Sequence, residues 1–145
     1  AEARVADFAG EALPGESFDC VASIATLHHL PLRRTLARMA ALLRPGGVLL
    51  VLDLYRAATL ADRLCDVVAV PVDVGFSLAR RGRLRPPREA REAWRAHART
   101  DVYPTLAEVR RVSGELLPGA RVRRHLFWRY SLVWRKPAHP GPPGS

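Results

Sequence analysis

Two adjacent histidines, His28 and His29, are the side chains of this 145-residue sequence best suited to proton transfer. They follow residues 18–23 (FDCVAS), an apolar run of the length of a buried strand. Ligands of open α/β sheets bind at the carboxyl ends of parallel strands, and imidazole gains and loses a proton near neutral pH. Either histidine could therefore serve as a general base for a hydroxyl or amine. The alternative, and the commoner role, is a pair that ends the strand and packs on the next helix.

Asp53 is a second polar residue at the end of an apolar run, and it would face the same pocket if that run is a strand. A helix-capping or solvated role fits Asp53 equally well. A metal site is not indicated, because adjacent histidines point in different directions and no third ligand stands at a recognised spacing. The two cysteines, Cys20 and Cys65, have no paired spacing that would suggest a disulfide framework or a zinc site.

The elements that would position these residues follow a strand, helix, strand pattern. Leu36, Met39, Ala40 and Leu43 recur at the spacing of one helix face, and the turn at residues 44–47 (RPGG) ends that helix. A continuous aliphatic run follows, ending at Asp53. Two nearly all-apolar strands joined by a helix are typical of a βαβ unit with a parallel sheet, so the predicted fold class is α/β.

The second half of the chain predicts more helices and then a hairpin. Residues 57–84 indicate two short helices, residues 86–87 (PP) a hinge, and residues 88–98 a charged helix. Thr105 and Glu108 have the spacing of a capping box that opens a helix to about Leu116.

Residues 122–127 and 130–135 are rich in β-formers and predict an antiparallel hairpin. Trp128, Tyr130 and Trp134 alternate along it, which favours a stripe of core residues over a base-stacking platform. The Pro- and Gly-rich residues 137–145 predict a disordered tail.

Charge and hydropathy restrict the classes of partner. The formal charge is +9, but Lys136 is the only lysine and the arginines are spread along the whole chain. Nucleic acid is therefore disfavoured as a partner, and a nucleic-acid-binding module would have to show steep salt dependence. No apolar run approaches the roughly 20 residues needed to cross a bilayer. The chain starts at Ala1 with no signal-peptide pattern, so we expect a processed or incomplete, cytoplasmic protein with no membrane partner.

Residues 18–56 resemble a known family, the class I (Rossmann-like) S-adenosylmethionine-dependent methyltransferases. Three motifs carry the resemblance: FD opening a strand at residues 18–19, LHHL just past that strand at residues 27–30, and LRPGG at residues 43–47 before an aliphatic strand. The C-terminal helix, the Leu-Pro-Gly turn and the basic hairpin match the last strands of that fold. The resemblance implies a partial fold of this type, a mixed sheet with a C-terminal antiparallel hairpin and helices on both faces, over residues 1–136.

The resemblance also implies cofactor contacts for S-adenosyl-L-methionine. Asp7 matches the acidic residue that follows the third strand and binds the adenine amino group, with Phe8 beside the adenine ring. Ser23, Ile24 and Ala25 match the segment that passes under the methionine and ribose portions. The family's Gly-x-Gly-x-Gly turn and its ribose-binding acidic residue have no counterpart in residues 1–145.

By the same resemblance, residues 57–104 form a variable lid over the acceptor pocket. His97, Asp101 and Tyr103 lie there, and His97 joins His28 and His29 as a candidate catalytic residue. The alternative for these three is a surface helix end and linker. The reaction implied is direct attack of an acceptor N, O or C atom on the sulfonium methyl group of the cofactor, with a small molecule as the acceptor. No Ser or Cys constellation suggests a covalent enzyme intermediate.

The family's sheet order, 3-2-1-4-5-7-6, predicts that this chain holds an intact half-sheet of four strands. Its residues 4–7 would then be a poorly anchored third strand, and residues 18–23 an apolar edge. Two functional readings stay open: part of a longer active methyltransferase, or a truncated or degenerate fragment with no activity alone.

Overall fold

The structure is a computed structural model that describes residues 7, 8, 10, 12–59 and 103–138, with isolated positions 62, 67, 71, 72, 74, 75 and 78–80. Strand β1 (Phe18–Ile24) leads through a 3-10 turn (Leu27–His29) into helix α1 (Leu32–Leu42). Strand β2 (Leu43–Leu54) follows at once. The C-terminal part comprises helix α2 (Leu106–Leu116), strand β3 (Arg121–Arg124) and strand β4 (Arg129–Arg135).

The four strands form one mixed sheet in the order β1-β2-β4-β3. β1 and β2 are parallel, and β4 lies antiparallel between β2 and β3. This order is the 4-5-7-6 half-sheet that the resemblance predicts. The α/β class, the βαβ unit and the C-terminal hairpin are therefore confirmed.

The boundary between α1 and β2 differs from the prediction. The helix ends at Leu42, and β2 already begins at Leu43, which pairs with Phe18 before the register shifts. Gly46 has a φ of +81°, which favours glycine, and a Cβ on Gly47 would lie 3.1 Å from the carbonyl oxygen of Phe18 in β1. The glycine pair thus lets the start of β2 lie close to β1 instead of acting only as a helix exit.

The core lies on one face of this sheet. Leu49, Val51, Leu132 and Trp134 point to the face on which α1 and α2 pack, in one cluster of buried side chains. The opposite face is partly open, since alternate residues such as Leu50 are about two-fifths exposed (41%). Both helices with described bounds therefore cover the same face, and the predicted second helical layer lies outside the described elements.

The C-terminal elements confirm most of the local predictions. The Thr105 hydroxyl accepts a hydrogen bond from the Glu108 amide at 3.2 Å, so α2 begins where the capping box predicts. The helix ends at Leu116, as expected. The predicted core stripe is correct for Tyr130 and Trp134, which are buried, but wrong for Trp128, which is 40% exposed. The reason is the turn: Trp128 has a φ of +55°, so it belongs to the reversal between β3 and β4 and leaves the alternation.

Several predictions fall outside the described residues. They concern the start of the predicted strand at residues 4–7, the full helices within 57–84 and 88–98, the hinge at 86–87, the side chains of His97 and Asp101, and most of the tail. Within the described part of the chain, no helix has the length and apolar character needed to cross a membrane.

Candidate active site at the carboxyl ends of the parallel strands

The buried carboxylate of Asp53 is the centre of the polar cluster where β1 and β2 end. Asp53 is 1% exposed and lies in β2 on the face that holds the core. Its Oδ2 accepts hydrogen bonds from the backbone amides of Thr26 at 2.8 Å and Leu27 at 2.5 Å. Its Oδ1 accepts from the Leu54 amide at 2.6 Å. The carboxylate, which belongs to β2, therefore caps the first amides of the 3-10 turn that follows β1 and holds that turn against the end of β2.

His28 completes the coordination of this carboxylate. The ring is 4% exposed, and its Nδ1 lies 2.6 Å from Asp53 Oδ1. Because Asp53 already accepts from three amides, it acts here as an acceptor, and His28 Nδ1 must carry the donated hydrogen. In the neutral ring this leaves the lone pair on Nε2. His28 and Asp53 thus form a dyad in which the carboxylate selects the tautomer able to take up a proton at Nε2.

Aromatic and imidazole rings pack against His28. The Tyr103 ring stacks on it, with centroids 5.0 Å apart and planes 15° apart. The His29 ring is tilted, with its centroid 3.9 Å from that of His28, and His29 is exposed. Tyr103 is held next to the sheet because the following carbonyl, that of Pro104, accepts from the Arg56 amide at 2.9 Å. The structure therefore brings His28, His29 and Tyr103 together, as the sequence suggested it could.

An open cleft of about 410 Å³ lies beside the dyad. Eight residues line it: Leu27, His28, His29, Leu30, Pro31, Leu32, Pro104 and Glu108. Its volume is within the range of small-molecule sites. The cleft lies at the carboxyl ends of the two parallel strands, where open α/β sheets bind ligands.

Tyr130 lies on the other side of Asp53, opposite it in the β2–β4 register. Burial, together with the negative charge of Asp53, raises the pKa of the Tyr130 phenol, so the hydroxyl stays protonated. That hydroxyl is buried and has no hydrogen-bond partner in the described part of the chain. Tyr130 therefore stays neutral beside the dyad, and its hydroxyl makes no hydrogen bond to the carboxylate that His28 contacts.

The segment matched to the methionine and ribose side of the cofactor site ends β1. Ser23 is buried, and its hydroxyl has no partner among the residues that the structure describes. Ile24 is 71% exposed, and Ala25 has a φ of +51°, where the chain leaves the strand. A buried hydroxyl without a partner in the described chain and an exposed apolar side chain fit a ligand with polar and apolar parts. The residues present therefore fit part of the cofactor, while the Gly-x-Gly-x-Gly turn is absent from the sequence.

The two residues matched to the adenine side lie before β1. Asp7 is exposed, and Phe8 is half-buried with the Arg38 guanidinium 5.1 Å from its ring centre. Phe8 and Arg38 line a second, smaller cleft of about 170 Å³ that also includes Leu30 and Pro31. Leu30 and Pro31 line the larger cleft as well, so the two clefts adjoin at this short segment.

Asp62 forms a further cap that the sequence analysis did not single out. Its Oδ2 accepts from the Thr59 amide at 2.9 Å and from the Thr59 hydroxyl at 2.7 Å, while the Asp62 amide donates to that hydroxyl at 3.2 Å. Arg124 of β3 pairs with the same carboxylate at 3.1 Å. Burial alone would raise the pKa of Asp62, but these hydrogen bonds and Arg124 outweigh it and lower the pKa to about 2. The T-x-x-D spacing, as in Thr105 to Glu108, was the available signal.

Comparisons of the sequence with known proteins agree with this picture. Residues 1–51 match the family described as a methyltransferase domain. Uncharacterised methyltransferases of Mycobacterium tuberculosis and Mycobacterium bovis are each 34% identical over 133 residues, covering 91% of this chain. The chain spans 62% of the length of these relatives.

Solved structures share the fold at lower identity. The CurJ carbon methyltransferase is 17% identical with a TM-score of 0.51, covering 92% of this chain and 33% of its own. A chain of a complex that contains the Haloferax volcanii Trm112 methyltransferase activator is 15% identical with a TM-score of 0.55, covering 92% of this chain and 61% of its own. At these identities the likeness concerns the fold alone.

The half-sheet, its strand order and the site at its carboxyl edge define a partial Rossmann-like α/β fold of the methyltransferase type. With the sequence matches to methyltransferases, they support the class I S-adenosylmethionine-dependent methyltransferases as the family of this chain.

Proposed function

We propose that this chain contributes the acceptor side of an enzyme that transfers a methyl group from S-adenosyl-L-methionine to a small molecule. The single observation that carries the proposal is the His28–Asp53 dyad, buried at the carboxyl edge of the parallel strands and lining a cleft of about 410 Å³. A dyad of this geometry positions a proton acceptor, which can take the proton that a hydroxyl or amine loses in the course of its methylation. Similarity to methyltransferases and the fold support the reaction class.

The chain's own residues divide the work in this proposal. His28 accepts the proton of the acceptor at Nε2, and Asp53 keeps Nδ1 protonated and stabilises the imidazolium that results. Tyr103 restricts rotation of the imidazole by stacking on it. An acceptor that fills the mainly apolar cleft would displace water from beside the dyad, which strengthens these electrostatic interactions. Most of the rate enhancement would come from holding the acceptor in line with the methyl group.

The cofactor would be held in part by Ser23, Ile24 and Ala25 after β1 and by Asp7 and Phe8 before it. When bound, S-adenosyl-L-methionine supplies an electrophilic methyl group on a sulfonium sulfur. The Ser23 hydroxyl is the group of this set that the fold leaves buried and without a partner in the described residues. We infer that it bonds the cofactor, whose remaining contacts come from a turn outside residues 1–145.

The test is methyl transfer by the full-length product of the gene. Cofactor labelled in its methyl group is incubated with a panel of small hydroxyl, amine and carboxylate acceptors, and labelled product is counted. We expect transfer to one class of acceptor, and a fall of about 10²- to 10⁴-fold in His28→Gln, the usual range for loss of a general base.

The matched control is His125→Gln. His125 is an exposed histidine on the hairpin that bonds Ser131 at 2.7 Å, and its change should leave the rate within about threefold of wild type, as for a surface site. Absence of both cofactor binding and transfer in the full-length protein would refute the proposal and favour the degenerate-fragment alternative. A fall as large in His125→Gln as in His28→Gln would refute the role of the dyad.

A further inference from the structure

The lining of the larger cleft is mainly apolar. Five of its eight residues have hydrocarbon side chains, namely Leu27, Leu30, Pro31, Leu32 and Pro104. Such a lining favours an acceptor with an apolar body. Its polar groups are the two histidines at the dyad and the carboxylate of Glu108.

The dyad distinguishes between kinds of reacting atom. Carboxylates and thiolates are ionised without help, and a neutral amine already presents a lone pair. An alcohol on a saturated carbon is so weak an acid that imidazole takes its proton only in concert with attack, whereas a phenolic or enolic hydroxyl can be ionised before attack. A phenolic or enolic hydroxyl is therefore the class that best fits His28 as a base, because it is a poor nucleophile until deprotonated and its proton is within reach of an imidazole.

Glu108 restricts the charge of the acceptor. Its side chain is exposed at the start of α2 and is the one acidic residue among those that line the cleft in the described chain. A carboxylate at this place repels a second negative charge on the body of the ligand. It is compatible with a phenolate formed next to His28, because that anion is paired with the imidazolium.

We propose that the cleft takes a neutral, largely apolar compound with a phenolic or enolic hydroxyl, which His28 Nε2 deprotonates as the oxygen is methylated. This inference rests on the proposed function. The hydroxyl O–H bond breaks, and its proton goes to Nε2. An oxygen lone pair forms the new O–C bond, while the electron pair of the methyl–sulfur bond stays on sulfur and leaves a neutral thioether. The imidazolium later loses its proton to water, so no oxidant or other reactant is needed.

The test uses 4-nitrophenol and the full-length protein without cofactor. This probe absorbs visible light only as its phenolate, so absorbance reports proton transfer to the protein and a titration reports binding. We expect saturable binding at a pH where the free probe is mostly protonated, with growth of the phenolate band. His28→Gln should reduce the affinity for the phenolate about 10- to 100-fold, as for a lost hydrogen bond to a charged group. His125→Gln should leave binding and spectrum unchanged.

The charge requirement is tested with a matched pair of ligands, 4-hydroxybenzamide and 4-hydroxybenzoate. We expect the benzoate to bind more weakly than the amide, by about two- to fivefold because Glu108 is exposed to solvent, and the gap to narrow in Glu108→Gln. Equal binding of the two by wild type would overturn the role of Glu108.

Absence of 4-nitrophenol binding, or the same phenolate band in His28→Gln, would overturn the inference. Because no cofactor is present, these results are independent of methyl transfer. Transfer to amines alone would remove the phenol inference and leave the proposed function standing. Phenol binding without any transfer would remove the proposed function and leave only the ligand class of the cleft supported.

Discussion

Replacing Asp53 by asparagine should both destabilise the protein and remove the base. Oδ2 accepts from two turn amides and Oδ1 from Leu54 and His28, so either orientation of an amide brings its NH₂ group against existing donors. The less costly orientation points NH₂ at His28, whose ring can change tautomer and accept at Nδ1. The hydrogen then lies on Nε2, and the ring can no longer take up the acceptor's proton there.

The magnitude follows from the same contacts. Hydrogen bonds to a charged acceptor contribute about 1.5–3 kcal/mol and neutral ones about 0.5–1.5, so neutralising Asp53 weakens the Thr26 and Leu27 bonds by about 2 kcal/mol together. Loss of the Leu54 contact adds up to about 1–2 kcal/mol. We expect Asp53→Asn to lower the free energy of unfolding by about 2–4 kcal/mol in total.

Urea unfolding followed by tryptophan fluorescence measures the change in stability, and nitrogen NMR of the imidazole reports the tautomer. The matched control is Asp19→Asn, which removes the same charge from an exposed ion pair with Arg44 and should cost at most about 1 kcal/mol. If Asp53→Asn costs no more than Asp19→Asn, or if His28 carries its hydrogen on Nε2 in the wild type, the reasoning about the dyad is wrong.

Three further predictions concern the frame around the site. The pKa of Asp62 is lowered to about 2 from 3.8, so its ionised form stabilises the fold above pH 4, and this contribution disappears as the pH falls through 2. The difference in unfolding free energy between wild type and Asp62→Asn, measured in urea, should therefore shrink between pH 5 and 2.5. A constant difference would contradict this prediction. Trp134→Ala should lower the free energy of unfolding by about 3–5 kcal/mol because Trp134 is a core residue, whereas Trp128→Ala should lower it by less than about 1 kcal/mol, as judged by unfolding midpoints. Equal losses would show that Trp128 is a core residue as well. Lys136→Met should lose about 1–2 kcal/mol in the same assay, because its ammonium donates to the Leu43 carbonyl at 2.7 Å; no loss would show that this contact is not stabilising.

The fold followed from local patterns because each element carries its own signal. Two aliphatic runs around an amphipathic helix indicate a βαβ unit, and the capping box at Thr105 marks the start of α2 to the residue. The strand order came from the family resemblance, since no local pattern tells β4 to lie between β2 and β3. The start of β2 at Leu43 was missed because a Pro-Gly-Gly sequence is a turn signal even where the glycines serve a strand junction.

The site was only partly predictable. His28 and Asp53 each stood at the end of an apolar run, but they are separated by 25 positions, and their pairing depends on the register of β1 against β2. The sequence could suggest that both residues reach one edge of the sheet, and could not decide whether Asp53 faces the pocket or has a capping or solvated role. The structure gives the Asp53 carboxylate both the amide contacts of a cap and the contact with His28. The prediction that Trp128 is a core residue was wrong for a different reason: its positive φ interrupts the alternation of side chains on which the prediction depended.

The isolated bridge between Arg56 and Thr105 brings together the two ends of residues 57–104. Closing a loop costs only about 0.6 kcal/mol more for each doubling of its length, so a segment anchored at adjacent ends is tolerant of insertion and deletion. The frame of four strands and two helices can therefore stay constant while the stretch between these anchors changes in length and sequence. For an engineer, the bridge marks the two points at which that stretch could be exchanged between relatives, which would leave the dyad in place and replace the contacts that Asp62 and Tyr103 supply from within it.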